Sequence, residues 1–142
     1  MANDEDRKLK LENQGADELR YMQQVYQNQY TMIENSMNIV LRELQELNSA
    51  QKTLENIGLV NGKEILTGIG GDFYLPGKVE HPDKVLVGIG AGYVIEKDTD
   101  SAKMHVAGLI KKNTESLNSL TKSRKELEGA LIEISYRLES LR

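Results

Sequence analysis

The chain has no cysteine, no tryptophan, one phenylalanine and two prolines in 142 residues. Without cysteine there are no disulfides, no cysteine zinc sites and no thiol catalysis. Such a chain suits an intracellular setting. Six tyrosines and a single phenylalanine are too few aromatics for a thick central core. No apolar run approaches the roughly 20 residues of a membrane span. Residues 1–7 are polar and acidic, unlike a secretory signal. Basic charge is also in short supply. The 18 Lys and Arg against 22 Asp and Glu give a net charge of −4, without the basic footprint of a nucleic-acid binder. There is no GxxxxGK[ST] motif, hence no P-loop nucleotide site. His81 and His105 are the two histidines, and no carboxylate cluster with ligand spacing accompanies either. Metal, cofactor and acid–base chemistry therefore find no constellation to stand on, and no enzyme is expected.

What is present is heptad spacing, at both ends of the chain. Leu19, Tyr26, Ile33, Val40, Leu47 and Leu54 take position d of one ladder. Tyr30, Met37, Leu44 and Gln51 take position a. In the second ladder a is Lys103, Ile110, Leu117, Arg124, Leu131 and Leu138. There d is Val106, Asn113, Leu120, Leu127, Ile134 and Leu141. Apolar a/d spacing sustained this long predicts coiled-coil helices. The spacing predicts a polar lead-in over 1–15, broken at Gly15, then a helix over 16–57. Gly58 reads as the left-handed residue that ends it. A second helix is predicted over 99–142, with Asp98, Thr99 and Asp100 as candidate N-caps. Charge favours pairing of the two. Residues 1–57 carry ten acids and six bases, whereas residues 99–142 carry six acids and eight bases.

Residues 58–98 differ in kind. The segments 64–69 and 73–79 flank Gly70-Gly71, and 85–89 and 93–97 flank Gly90-Ala91-Gly92. Each pair predicts a β-hairpin with a glycine turn. Gly88-Ile89-Gly90-Ala91-Gly92 has the outline of a nucleotide loop, but no sixth-position glycine and no helix follow it. Two short hairpins are not stable alone. Val85-Leu86-Val87 and Tyr93-Val94-Ile95 are apolar on both faces, so cover from other subunits is expected. The expected assembly residues are Ile65, Ile69, Phe73 and Leu75 in the first hairpin. In the second they are Val85, Val87, Ile89, Tyr93 and Ile95.

Antiparallel docking that sets a beside d requires paired residue numbers with a constant sum. A sum of 157 brings Val40 to Leu117, Tyr26 to Leu131 and Leu19 to Leu138, and sums of 150 and 164, one heptad away, also preserve a/d pairing. Asn113 and Arg124 are then polar intrusions in the seam, of the kind that fixes register.

Some apolar residues fall outside the seam. Val25, Met32 and Ile39 occupy c, Met22 occupies g, and Ile132 and Tyr136 occupy b and f. Scattered surface apolars are ordinary. Read functionally, Met22, Val25, Ile132 and Tyr136 form an adhesive patch near the free end of the helices. Leu9, Leu11, Leu138 and Leu141 join it where the ends fray.

The centre also resembles a known family. Glu64-Ile65-Leu66, Gly68-Ile69-Gly70-Gly71-Asp72-Phe73-Tyr74-Leu75-Pro76-Gly77 and Val85-Leu86-Val87-Gly88-Ile89-Gly90-Ala91-Gly92-Tyr93-Val94-Ile95 are similar to the centre of α-class prefoldin subunits. That class has two hairpins where the β class has one. The resemblance implies an α+β fold: a long antiparallel coiled-coil helical hairpin whose two central β-hairpins assemble into an intersubunit β-barrel. It implies one subunit over 1–142, in a cytoplasmic hexamer of two α and four β subunits. The implied work is ATP-independent capture of unfolded polypeptides at the coiled-coil tips and transfer to a group II chaperonin. No cofactor, nucleic acid or membrane is implied. The competing reading is a structural scaffold or filament subunit assembled through the same hairpins.

Overall fold

The computed structural model describes residues 4–141, and the side chains of residues 15–141. Helix α1 spans Asp4–Glu55, strands β1 to β4 span Glu64–Gly70, Phe73–Lys78, Lys84–Gly90 and Tyr93–Asp98, and helix α2 spans Thr99–Ser140.

Helix α1 begins at Asp4, inside the lead-in predicted over 1–15 and well before the predicted start at 16. Gly15 lies inside it, with nothing near the place where a side chain would sit. One glycine costs a helix about 1 kcal/mol relative to alanine, and the neighbouring Glu, Lys, Leu and Arg residues are good helix formers. Propensity over the window therefore outweighs the single break.

The end of α1 also differs from expectation. The helix stops at Glu55, and Gly58 is not left-handed. Asn56 ends it. Its side-chain Nδ2 donates to the Lys52 carbonyl at 2.9 Å, taking a carbonyl of the last turn. A 3-10 turn over Ile57–Val60 follows, and the positive φ appears later, at Gly62.

The two hairpins are one design used twice, twenty residues apart. In the first, Gly71 and Asp72 both have positive φ, and in the second Ala91 and Gly92 do. Two left-handed residues in a two-residue loop make the type I′ turn, whose twist matches that of the strands. The register shifts between Gly68 and Gly70, and again between Gly88 and Gly90. Each hairpin thus carries a bulge at the isoleucine two residues before its turn. Ala91 occupies a region that disfavours a side chain by about 1 kcal/mol. Pro76, opposite Leu66, is tolerated because β2 has a neighbour on one side only.

Helix α2 starts firmly. The Ser101 backbone N–H donates to Asp98 Oδ1 at 2.7 Å, which makes Asp98 the N-cap. Thr99 is buried and its hydroxyl donates to the Pro82 carbonyl at 2.6 Å. The start of α2 is thereby fastened to the linker between the hairpins.

By packing, the chain divides into two units. One comprises residues 1–41 and 115–142, the other residues 42–114. In both, the described a and d side chains predicted to face the seam are half-buried or buried, save the terminal Leu141. Met37 and Ile134 are buried in the first unit, and Ala102 and Val106 in the second. No described side chain is completely enclosed, as expected of a two-helix seam without a third layer. Within the first unit two hydrogen bonds cross between the helices, Gln23 to Ser135 and Tyr30 to Glu128. Each pair of numbers sums to 158. That is one residue from the predicted 157, and eight and six from the neighbouring heptad registers at 150 and 164.

Candidate functional site

The first candidate surface is the pair of hairpins. Every residue of β1 and β2 is exposed, including Ile65, Ile69, Phe73 and Leu75. Phe73 is 71% exposed, a large apolar ring with nothing over it. Tyr74, also exposed, lies opposite Gly68 in the ladder. In the second hairpin Ile89, Tyr93 and Ile95 are exposed. Val85 and Val87 are not. They are half-buried and line an open apolar groove of about 460 Å³, with Leu47, Leu54, Ile57 and Val106 of the helices.

Strand β3 therefore has two different faces. Val85 and Val87 turn toward this chain's own helices, and Leu86 between them is 74% exposed. Residues opposite each other in the ladder share a face, so Glu96 joins Leu86, and Val94 is on that side too. Leu66, Tyr74, Leu86 and Val94 are exposed apolar residues absent from the sequence-based choice. The doubly apolar runs already contained Leu86 and Val94. Alternation alone does not say which face an absent partner covers.

The second candidate surface belongs to the unit of residues 1–41 and 115–142. Ile132 and Tyr136 are 70% and 76% exposed. With Gln23, Gln27 and Ser135 they line a shallow groove between α1 and α2. Met22 is exposed and Val25 half-buried, but they are not part of that groove. Met22 lies instead against Asp17, Glu18 and Tyr21 on α1 alone. At about 100° per residue, Val25 is roughly 200° around α1 from Gln27. The four residues expected to form one patch thus divide between opposite flanks of the helix pair. Leu138 is half-buried in the seam and Leu141 is exposed. The side chains of Leu9 and Leu11 lie outside the described residues.

Between these flanks the seam carries a polar cluster. Tyr30 Oη donates to Glu128 Oε1 at 3.0 Å, and the Arg124 Nε lies 3.9 Å from the same oxygen. That hydrogen bond to a carboxylate, with further contributions from desolvation and the charges of Glu128 and Glu34, raises the Tyr30 pKa above its ordinary value. At the start of α2, the backbone and hydroxyl hydrogen bonds from Ser101 lower the Asp98 pKa. These shifts belong to a seam and a cap, and neither group faces an enclosed cavity.

Among the described residues, no cluster of His, Asp and Glu could hold a metal ion. No described helix is long and apolar enough to cross a membrane.

Known proteins share this arrangement. The prefoldin subunit family matches residues 26–141. The chain is 29% identical over 121 residues to prefoldin subunit 5 of Arabidopsis thaliana, with 82% of this chain and 80% of that protein covered. It is 27% identical over 128 residues to prefoldin subunit alpha of Pyrococcus horikoshii, with 89% and 82% covered. Among solved structures, the filamentous PFD of Methanocaldococcus jannaschii is similar, with a TM-score of 0.57 and 25% identity. That match covers 83% of this chain and 93% of the other.

Proposed function

The chain belongs to the prefoldin family as an α-class subunit, and on that premise we propose that it is part of an ATP-independent holdase. Prefoldins are a chaperone family, not an enzyme family, and they assemble with other prefoldin subunits. In this reading two copies join four β-class subunits in the cytoplasm, through the hairpins. The arms hold unfolded polypeptides and pass them to a group II chaperonin.

The observation that carries the reading is the exposure of Ile132 and Tyr136 on helices whose a and d residues are turned inward. A non-native chain exposes apolar segments that would otherwise aggregate. Several weak apolar contacts, one per arm, hold such a chain by raising the effective concentration of the next contact. Each contact remains weak enough to let go. Exposed apolar side chains on all strands of both hairpins support assembly through them, since a lone two-stranded hairpin is marginal.

The test is reconstitution with β-class subunits, followed by light scattering of a denatured client without nucleotide. Suppressed aggregation, and transfer when chaperonin is added, are expected. Unchanged aggregation by a well-assembled complex overturns the reading.

A second reading has its own support. The similar solved structure is a filamentous assembly. A filament-forming subunit would use the hairpins and leave the helix flanks idle. Electron microscopy of the purified chain separates the two, since long fibres favour the filament and closed particles the holdase.

A further inference from the structure

His105 follows the seam residue Lys103 by two positions, so the heptad sets it outside the seam. It is nevertheless half-buried, because it lines the apolar groove of about 460 Å³ between β3 and the helices. Leu54 of α1, Ile57 of the turn that follows, Val87 of β3 and Leu109 of α2 line the same groove. Thr53 is its one other polar side chain, and that hydroxyl donates to the Ser49 carbonyl at 3.0 Å.

No carboxylate lines this groove. On α2, the residues one turn from His105 are Ser101, Ala102, Gly108 and Leu109, all uncharged. On α1, Lys52 and Glu55 are exposed and stand outside the groove. Glu43, Glu46 and Lys112 belong to the adjoining groove. The second hairpin contributes a half-buried cation, Lys97, which is opposite Val85 in the ladder and on the same face. A like charge disfavours a second one. A protonated His105 is therefore left with water as its partner.

Strand β3 pairs with β4 alone, so its other edge is free. The Thr99 backbone N–H donates to the Asp83 carbonyl at 2.8 Å, which turns the main chain of Asp83 toward the β4 side. Main-chain groups alternate in direction along a strand, so those of Leu86 and Gly88 turn to the free edge. Both residues also line the groove. A strand added along this edge lies over the groove and closes it to water. A neutral imidazole is far less costly to cover than a charged one, which loses its hydration and gains no carboxylate.

We propose that His105 makes assembly across the free edge of β3 dependent on pH: a strand of a neighbouring prefoldin subunit seats over the groove while the imidazole is neutral, and is released when the imidazole is protonated. The proposal rests on assembly through the hairpins and adds a proton to it. Seating the strand releases that proton, so the complex is strongest at higher pH. It weakens as pH falls through the range in which an imidazole changes charge, about pH 5–8. One proton per copy limits the slope to roughly tenfold in dissociation constant per pH unit.

The test mixes the full chain with β-class prefoldin subunits and reads the dissociation constant by sedimentation velocity from about pH 8 down to about pH 5.5. The wild-type complex should weaken roughly tenfold or more over that range. His105→Phe and His105→Gln, neutral at every pH, should assemble equally well throughout. His105→Lys should assemble poorly even at about pH 8, where a free lysine is charged. His81→Gln, at the exposed histidine of the linker, should keep the wild-type profile. Calorimetry in two buffers of different ionisation enthalpy should show protons released on wild-type assembly at about pH 6, and fewer with His105→Gln. A purely structural role for His105 would leave that proton count unchanged. A wild-type complex that releases no protons, or neutral variants as sensitive to pH as the wild type, would overturn the proposal and leave assembly through the hairpins standing. No complex at any pH removes both.

Discussion

Tyr30 of α1 donates its hydroxyl to Glu128 of α2 at 3.0 Å, a bond that joins the helices across the seam. It is also one of the two cross-helix bonds that mark the register. The carboxylate makes the phenol harder to ionise, so the Tyr30 pKa is raised in the folded state. The stabilisation linked to a raised pKa is fully present below the unfolded value, about 10 for tyrosine, and is lost as pH rises through the folded value. Tyr30→Phe removes both the bond and the titration. The difference in melting temperature between wild type and Tyr30→Phe should be constant near neutral pH and shrink above about pH 10. A difference that stays level through the alkaline range would mean that the bond does not form in solution.

Arg124 is the opposite kind of neighbour. It sits at a seam position, its Nε is buried without a hydrogen-bond partner, and Glu128 is 3.9 Å away. A buried unsatisfied donor costs about 1–3 kcal/mol. Arg124→Leu should therefore raise stability by about 1 kcal/mol in chemical denaturation. The same change removes a polar marker from the seam. Disulfide trapping with cysteine pairs at residue sums of 150, 157 and 164 should then capture more of the displaced registers than in the wild type. If stability falls, the guanidinium is making a bond that the static geometry lacks.

Much of this fold is legible in residue spacing. Leu47, Leu117 and Ile134 recur where one helix face must turn from water, and that face did turn inward. Period is a collective property of many residues, so single exceptions such as Asn113 do not erase it. Single-residue signals travel less well. Gly15 does not break α1, because its cost is small beside the propensity of its neighbours. Gly58 does not end α1, because the helix already stops at Glu55, where the Asn56 side chain takes a carbonyl of the last turn. The candidate site fails in a different way. Met22 and Ile132 both stand outside the seam, but being outside it does not say on which side. Only the pairing geometry of two helices distinguishes a g and c flank from a b and e flank. The faces of β3 have the same origin: Val87 and Leu86 are equally apolar in sequence, and the helices decide which is covered.

Assembly should depend on the outward faces of the hairpins. Val87 is a poor probe, since it also packs toward this chain's own helices. Leu86 and Val94 are exposed on one face of the second hairpin. Leu86→Asp with Val94→Asp should leave helix content by circular dichroism unchanged. Mixed with β-class subunits, the variant should remain dissociated in sedimentation velocity. Burying two aspartates in an interface without partners costs several kcal/mol, enough to prevent a stable complex. Full recovery of the complex would exclude this face from the assembly.

Client binding should divide between the two flanks, because the structure does not bring Met22 and Val25 together with Ile132 and Tyr136. One adhesive patch would lose most of its function when either pair is removed. Two independent patches lose function in two separable steps. Ile132→Ser with Tyr136→Ser removes two residues that are 70% and 76% exposed, so the cost to folding should be slight. Met22→Ser with Val25→Ser removes the other pair. Each double variant, in complexes whose β-class arms are truncated, should suppress aggregation of a denatured client only in part. The quadruple variant should equal the sum of the two losses in binding free energy, within about 0.5 kcal/mol, since non-contacting sites add. A quadruple variant no worse than one of the doubles would place all the binding on a single flank. Wild-type activity in all three would remove both flanks from client recognition and favour the filament reading.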